Sequence, residues 1–384
     1  DIMFNILTLN KISPVGLGRF NSGKYNVGDS IENPDAVMVR SASMLDMEMP
    51  ASLLAIARAG AGVNNIPVDA CTEKGICVFN TPGANANAVK ELVICAMLIA
   101  SRNVPQALDW CKTLKGEGSN VGKLVEKGKS AFTGQEVMGK TLGIVGLGAI
   151  GILVANTAVN LGMDVIGYDP YLSIANALSL DPKVKLVSDV EELWPVADYI
   201  SLHTPLNDST RDLVNAETVA QMKDGVRILN FARGELVNSS DILAALESGK
   251  VLAYATDFPT DEQLCCKGVI AIPHLGASTP ESEDNCAVMG ANQLIDYLER
   301  GEIVNSVNLP ATRLPLTFSK RVCVIHKDGE GIQTAITSAL SASGITALNS
   351  AVKKNWAYTV ADITGEADEA KIAAIDGVVK VRII

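Results

Sequence analysis

Thr141-Leu142-Gly143-Ile144-Val145-Gly146-Leu147-Gly148-Ala149-Ile150-Gly151, continued by Ile152 to Asn160, is the stretch that decides the fold. A short apolar run enters a G-x-G-x-x-G turn, and an unbroken apolar helix leaves it. A second apolar run, Val165-Ile166-Gly167-Tyr168, ends on Asp169, about 20 residues beyond the glycines. Strand, turn, helix and strand in this spacing make a dinucleotide-binding unit, and each glycine has a task. Gly146 makes the tight turn, Gly148 lets the backbone approach a pyrophosphate, and Gly151 lets the helix lie close to the sheet. The first N–H groups of the helix, at Ala149 and Ile150, face that pyrophosphate with the positive end of the helix dipole. Asp169, between Tyr168 and Pro170, can accept hydrogen bonds from ribose hydroxyls and would repel a 2′-phosphate. Because Pro170 and not an arginine follows, the expected cofactor is NAD. A tight structural turn beside a surface aspartate is the competing reading, and the complete βαβ context weighs against it.

Working outward, the alternation of apolar runs and helical stretches continues from Thr141 to about Ile272. Further strands are expected at Tyr199 to Leu202, Val226 to Asn230, Tyr254 to Thr256 and Val269 to Ile272, six in all, which make one doubly wound α/β domain. Upstream, Phe4 to Leu9, Ala36 to Val39, Leu53 to Ala57 and Cys77 to Asn80 suggest a smaller α/β domain, followed by a long apolar helix from Ala86 to Ser101. The Gly-, Lys- and Ser-rich stretch from Thr113 to Gly139 lacks periodicity and is expected to cross between domains. After the linker Asn308-Leu309-Pro310-Ala311-Thr312-Arg313-Leu314-Pro315, the tail reads as βαββαβ, a ferredoxin-like order. The expected division is 1–93 with 283–312, then 94–282, then 319–384.

Composition sets the outer limits. Of 384 residues, 48% are hydrophobic and 20% charged, enough for sizeable cores, and the net charge of −11 argues against nucleic acid or an anionic membrane as main partner. No apolar run reaches the roughly 18 residues of a membrane span, and the first residues lack the pattern of a signal peptide. The eight cysteines include no C-x-x-C pair, which suggests reduced, buried thiols in a cytoplasmic protein. With histidines only at 203, 274 and 326, no metal site is expected.

Three polar residues follow later strands, where open α/β sheets bind ligands. Arg233 follows Ile228-Leu229-Asn230-Phe231-Ala232, Glu262 follows Asp257-Phe258-Pro259-Thr260-Asp261, and His274 follows Ile270-Ala271-Ile272-Pro273. A guanidinium fork holds a carboxylate bidentately and so orients a 2-hydroxy or 2-keto acid. An imidazole can take the hydroxyl proton as hydride leaves. A carboxylate on the far ring nitrogen would fix its tautomer. The bland alternatives are a strand-capping histidine, an arginine that clips a carbonyl, and a solvated loop glutamate.

These residues, with Val39-Arg40-Ser41, Arg58-Ala59-Gly60-Ala61-Gly62-Val63, Asn80-Thr81-Pro82-Gly83, His203-Thr204-Pro205-Leu206 and Pro273-His274-Leu275-Gly276-Ala277-Ser278-Thr279, carry a resemblance. The chain resembles the D-isomer-specific 2-hydroxyacid dehydrogenases from about residue 36 to 310. The resemblance implies a Rossmann cofactor domain inserted into a smaller flavodoxin-like substrate domain, with substrate in the cleft between them. It implies Arg233 on the substrate carboxylate, Glu262 paired with the histidine, and His274 as acid and base. It places Asp257 near the nicotinamide carboxamide, and His203, Thr204, Pro205, Ala232 and Gly276 along the cofactor. A substrate phosphate would meet Arg58, Ala61, Gly62 and Asn85, with Arg40 and Lys129 as further candidates. The implied reaction is NAD-dependent oxidation of a phosphorylated 2-hydroxy acid on the way to serine. Glyoxylate or hydroxypyruvate reduction is the alternative chemistry, and an NADH-sensing corepressor-like module the non-enzymatic one.

The tail resembles an ACT regulatory domain. Serine-inhibited relatives begin its first helix with His-x-Asn-x-x-Gly, whereas here His326-Lys327-Asp328-Gly329-Glu330-Gly331 puts aspartate in the asparagine position. Aspartate has no amide donor for a carboxylate. The tail is therefore expected to serve mainly assembly, in a homodimer or homotetramer, and the effector question stays open.

Overall fold

The structure, a computed structural model, describes residues 3–315, 318 and 320–384. The chain divides into two compact units: the residues up to Asn85 together with Pro280–Ile384, and Ala86–Thr279. In the first unit, β1 (Phe4–Leu9), β2 (Tyr25–Gly28), β3 (Ala36–Val39), β4 (Ala55–Arg58) and β5 (Cys77–Phe79) form a parallel sheet in the order β2-β1-β3-β4-β5. That is the flavodoxin-like order. The apolar runs of β3 and β5 are buried throughout, as a sheet covered on both faces requires. The sequence reading missed β2, because Tyr25-Asn26-Val27-Gly28 is neither a continuous apolar run nor free of glycine.

The second unit holds β6 (Thr141–Val145), β7 (Asp164–Tyr168), β8 (Lys185–Val187), β9 (Tyr199–Leu202), β10 (Val226–Asn230), β11 (Val251–Thr256) and β12 (Val269–Ala271). All pair in parallel, in the order β12-β11-β10-β9-β6-β7-β8. This is the doubly wound nucleotide-binding arrangement with one strand more than expected. The extra strand, β8, is a three-residue edge with two exposed positions, too short for periodicity to show. The helix Ala86–Arg102 belongs to this unit, since Val89, Val93 and Met97 pack with Ile152 and Ala155 of the cofactor helix Ala149–Asn160. The stretch from Thr113 to Gly139 accordingly crosses no boundary. It is a surface excursion of the second unit that includes the helix Val121–Gly128, none of whose residues is buried.

The tail consists of β13 (Lys320–Lys327), β14 (Ile345–Lys353), β15 (Trp356–Ile363) and β16 (Val378–Ile383), with helices Ile332–Ala339 and Glu369–Ala373. Its sheet is antiparallel, ordered β14-β15-β13-β16. The expected domain start at residue 319 lies outside the described residues. This sheet shares one core with the rest of the first unit: Cys323, Ile325, Tyr358 and Val360 pack with Tyr297 and Leu298. Polar contacts follow the same path. Arg382 donates to the carbonyls of Tyr297 and Leu298 (3.2 and 2.9 Å), Arg321 to that of Arg300 (2.8 Å), and the Tyr358 hydroxyl to that of Gly301 (2.7 Å). These donors meet carbonyls of the last turn of the helix Pro280–Arg300 and of Gly301 just beyond it, and the two guanidinium charges suit the helix's negative pole.

Among the described residues, no helix is long and apolar enough to cross a membrane. The expectation of uniformly buried thiols needs correction: Cys71, Cys77, Cys286 and Cys323 are buried, but Cys95, Cys111 and Cys265 are exposed. Those three lie on outward helix or loop positions, which an apolar neighbourhood in sequence does not reveal.

Candidate active site

The glycine turn ends β6 and opens the helix Ala149–Asn160. Gly146 has φ +96°, and a Cβ there would lie 2.4 Å from the His203 carbonyl oxygen, so no other residue fits. At Gly151 a Cβ would lie 2.0 Å from the Gly146 oxygen, which lets the helix start against its own turn. Gly148 is different: a Cβ there meets nothing within 4 Å. The space above it is open, and no side chain caps the helix that begins there. An open cradle over uncapped N–H groups fits a pyrophosphate, as the sequence implies.

Asp169 follows β7 and accepts the Leu147 N–H with Oδ2 and the Tyr171 N–H with Oδ1, both at 2.8 Å. It thus ties the second strand to the glycine turn. Each oxygen keeps a second lone-pair direction for a ribose hydroxyl. Pro170 is exposed beside it, and Tyr168 is half-buried. His203 follows β9 as a structural member: its Nε2 bonds the Ser201 hydroxyl at 2.7 Å, and burial pushes its pKa down to about 4. The Thr204 backbone nitrogen borders Gly146 on the same side, and Pro205 follows it in sequence.

Arg233, Asp257 and His274 follow the neighbouring strands β10, β11 and β12. The Asn230 side chain donates to the Arg233 carbonyl (2.9 Å) and accepts from the Ala232 N–H (3.3 Å), which shapes the loop. The exposed Arg233 side chain donates only to the Ala232 carbonyl, at 2.7 Å, and has no ion pair among the described residues. Its remaining donors can take a carboxylate. Asp257 is 3% exposed, and its Oδ1 has no hydrogen-bond partner. Burial raises its pKa, while the nearby His274 and Arg233 pull it back down. A buried acceptor without a donor fits the N–H of a carboxamide, so this edge of the sheet suits a nicotinamide as the turn suits a pyrophosphate. Gly276 brings the histidine turn close, since a Cβ there would lie 3.7 Å from Asp257 Oδ2 and 3.1 Å from Val89.

Among the described residues, no hydrogen bond or ion pair joins Glu262 to His274. Glu262 lies on the exposed 3-10 turn Asp261–Gln263 and accepts the Ser239 hydroxyl at 3.4 Å, the weak limit of a hydrogen bond. Asp257 is a carboxylate within electrostatic reach of His274. Sequence reasoning also missed Phe258, whose ring lies 4.5 Å from the imidazole, and Ser239, the partner of Glu262. Nothing in either residue's sequence neighbourhood marks it.

In the first unit, Arg58 ends β4 and donates from Nε to the Arg40 carbonyl at 3.1 Å. Burial lowers its pKa, the charge of Arg40 adds to that, and Cys286 acts in the opposite direction. A Cβ at Gly60 would lie 1.5 Å from Arg58 Nη1, so the glycine makes room for the guanidinium. Arg40 pairs with Glu283 at 2.7 Å. Ala61 and Gly62 are exposed beside Arg58, and Ala61 is held by the Asn80 amide at 2.7 Å. Asn85 is half-buried at the end of this stretch. Lys129 lies in the second unit, where it pairs with Glu126.

Residues 94–276 match the model of the D-isomer specific 2-hydroxyacid dehydrogenase, NAD binding domain. The chain belongs to the D-isomer specific 2-hydroxyacid dehydrogenases. It is 40% identical over 304 residues to D-3-phosphoglycerate dehydrogenase of Methanocaldococcus jannaschii, a match that covers 76% of this chain and 55% of that protein. It is 41% identical over 265 residues to hydroxypyruvate reductase of Thermotoga maritima, covering 66% of this chain and 81% of that protein. The solved NAD+-bound 3-phosphoglycerate dehydrogenase of Entamoeba histolytica superposes with a TM-score of 0.60 at 26% identity, over 80% of this chain and 99% of that one. The chain spans about half the length of the phosphoglycerate dehydrogenases among these curated relatives.

Proposed function

We propose that the protein oxidises D-3-phosphoglycerate to 3-phosphohydroxypyruvate. Bound NAD would accept the hydride from C2. Arg233 holds the substrate carboxylate through the guanidinium donors that no protein carboxylate occupies, and His274 takes the C2 hydroxyl proton. Asp257 holds the carboxamide beside the imidazole. Glu262, weakly tied to Ser239, is the group that the resemblance pairs with the histidine. Arg58, packed on Gly60 and beside Ala61 and Gly62, receives the phosphate together with Asn85. The observation that carries this reading is the Arg233–Asp257–His274 trio on three neighbouring strand ends, beside a glycine cradle that no side chain fills.

The tail is read as an ACT-like assembly module of a cytoplasmic homodimer or homotetramer. His326 supports a structural role: it is 2% exposed and bonded through both ring nitrogens, to the Lys327 carbonyl and the Thr359 hydroxyl, each at 2.8 Å. An imidazole so occupied has no donor left for a serine effector.

A substrate panel followed by NADH absorbance tests the reading. Phosphoglycerate should be preferred over glycerate and lactate, and Arg58→Gln should weaken only the phosphorylated substrate. Equal efficiency on phosphorylated and unphosphorylated acids would favour hydroxypyruvate or glyoxylate reduction, for which the Thermotoga relative is the precedent. Tight NADH binding without turnover on any acid would favour a dinucleotide-sensing module.

A further inference from the structure

We propose that the second unit carries a separate anion site, at the opposite edge of its sheet from the glycine turn. A cavity of about 380 Å³ opens there, with Asn103, Gln106, Gln135, Arg227 and Lys267 in its wall. Arg227 is the second residue of β10, whereas Arg233 follows the far end of that strand. In a parallel sheet the two sites therefore face opposite edges, about one strand length apart.

Arg227 is only 8% exposed. Its Nε donates to the Ala100 carbonyl at 3.2 Å, and its guanidinium carbon lies 5.6 Å from the centre of the Tyr199 ring. Neither Nη atom has a partner among the described residues, and no carboxylate pairs with the group. A buried guanidinium without a counter-charge is costly. None of the described wall residues is an aspartate or glutamate, and Lys267 adds a second cation without an ion pair. The wall is thus positive in a chain of net charge −11, and a recess lined by one sign of charge concentrates the field.

The free guanidinium edge presents two parallel donors, the geometry that binds phosphate or carboxylate bidentately. Gln106 adds a neutral amide whose side chain makes no hydrogen bond among the described residues. The volume holds a phosphate or carboxylate on a small carbon skeleton and lies at the small end of ligand cavities. Such an anion would join the start of β10, the Lys267 loop and the turn after the helix Ala86–Arg102, so its binding should stabilise the unit.

The test uses the full chain with saturating NADH, at constant ionic strength held with chloride. Inorganic phosphate and malonate are titrated separately by calorimetry and thermal melting. At least one should bind saturably and raise Tm, and Lys267→Gln should weaken that binding at least about tenfold while NADH affinity is kept. Whichever anion depends on Lys267 identifies the ligand as phosphate or carboxylate. Arg227→Gln could fail to fold, so Arg227→Lys serves as the second variant and should weaken binding too. Equal binding by wild type and Lys267→Gln, a chloride-like salt effect, or binding lost only in Arg233→Gln would each overturn the proposal.

Discussion

The ring of Phe258 packs against the imidazole of His274, with centroids 4.5 Å apart and planes inclined by 46°. Phe258 directly follows the buried Asp257, so one short segment after β11 supplies both the ring that steadies the histidine and the charge it feels. An aromatic contact of this kind contributes about 0.5–1.5 kcal/mol beyond burial. Phe258→Ala should therefore lower kcat by about 2- to 10-fold with NADH affinity nearly unchanged. Steady-state rates with a direct NADH titration check this, and an unaltered kcat would mean the ring does not orient the base.

Replacing the base itself should cost far more. His274→Asn should reduce turnover by roughly 10²–10⁴ through loss of proton transfer. NADH should still bind, because the glycine turn and Asp169 are untouched. Wild-type turnover in this variant would remove His274 from the mechanism.

Two glycines of the turn should separate stability from binding. Gly151→Ala drives a methyl group into the Gly146 carbonyl and should lower Tm and abolish NADH binding together. Gly148→Ala places its methyl group in open space, at a φ of −78° that alanine adopts. Its Tm should match wild type while NADH affinity falls. Unchanged affinity in Gly148→Ala would place the pyrophosphate elsewhere.

His203 should give the stability a pH dependence. Its folded pKa, about 4, lies below the ordinary 6.5, so between these values the unfolded chain binds the extra proton. This contribution is fully present above pH 6.5 and is lost as pH falls toward 4, at up to about 1.4 kcal/mol per pH unit. Urea unfolding from pH 4.5 to 7.5 should show the slope, and His203→Gln should flatten it. An equal slope in that variant would assign the effect to another group.

In the tail, Arg321 and Asp362 form a buried ion pair with N···O distances of 2.6 and 3.0 Å. Asp362→Ala leaves a buried charge uncompensated and should destabilise the first unit by about 3–5 kcal/mol. An Arg321→Met, Asp362→Leu double variant should recover much of that loss. Equal urea midpoints for the single and double variants would contradict this account.

The sequence by itself determined the dinucleotide turn, the strands around it and the loops that carry Arg233, Asp257 and His274. These are local matters: a glycine with φ near +96° or a helix start that needs close approach writes its demand into one position, and a buried parallel strand writes a continuous apolar run. It also showed the βαββαβ pattern of the tail, because alternation and turn residues are short-range signals. Short edge elements such as β2 and β8 left no periodicity to read. Tertiary structure alone decided that Asp257 is buried within electrostatic reach of His274, that Phe258 backs the imidazole, and that Arg227 is buried without a carboxylate partner among the described residues. It alone decided that the tail shares a core with the helix Pro280–Arg300, through Arg382, Arg321 and Tyr358 on that helix's last carbonyls. Each depends on which strand ends become neighbours, and sheet order is set by non-local packing that residue spacing does not encode.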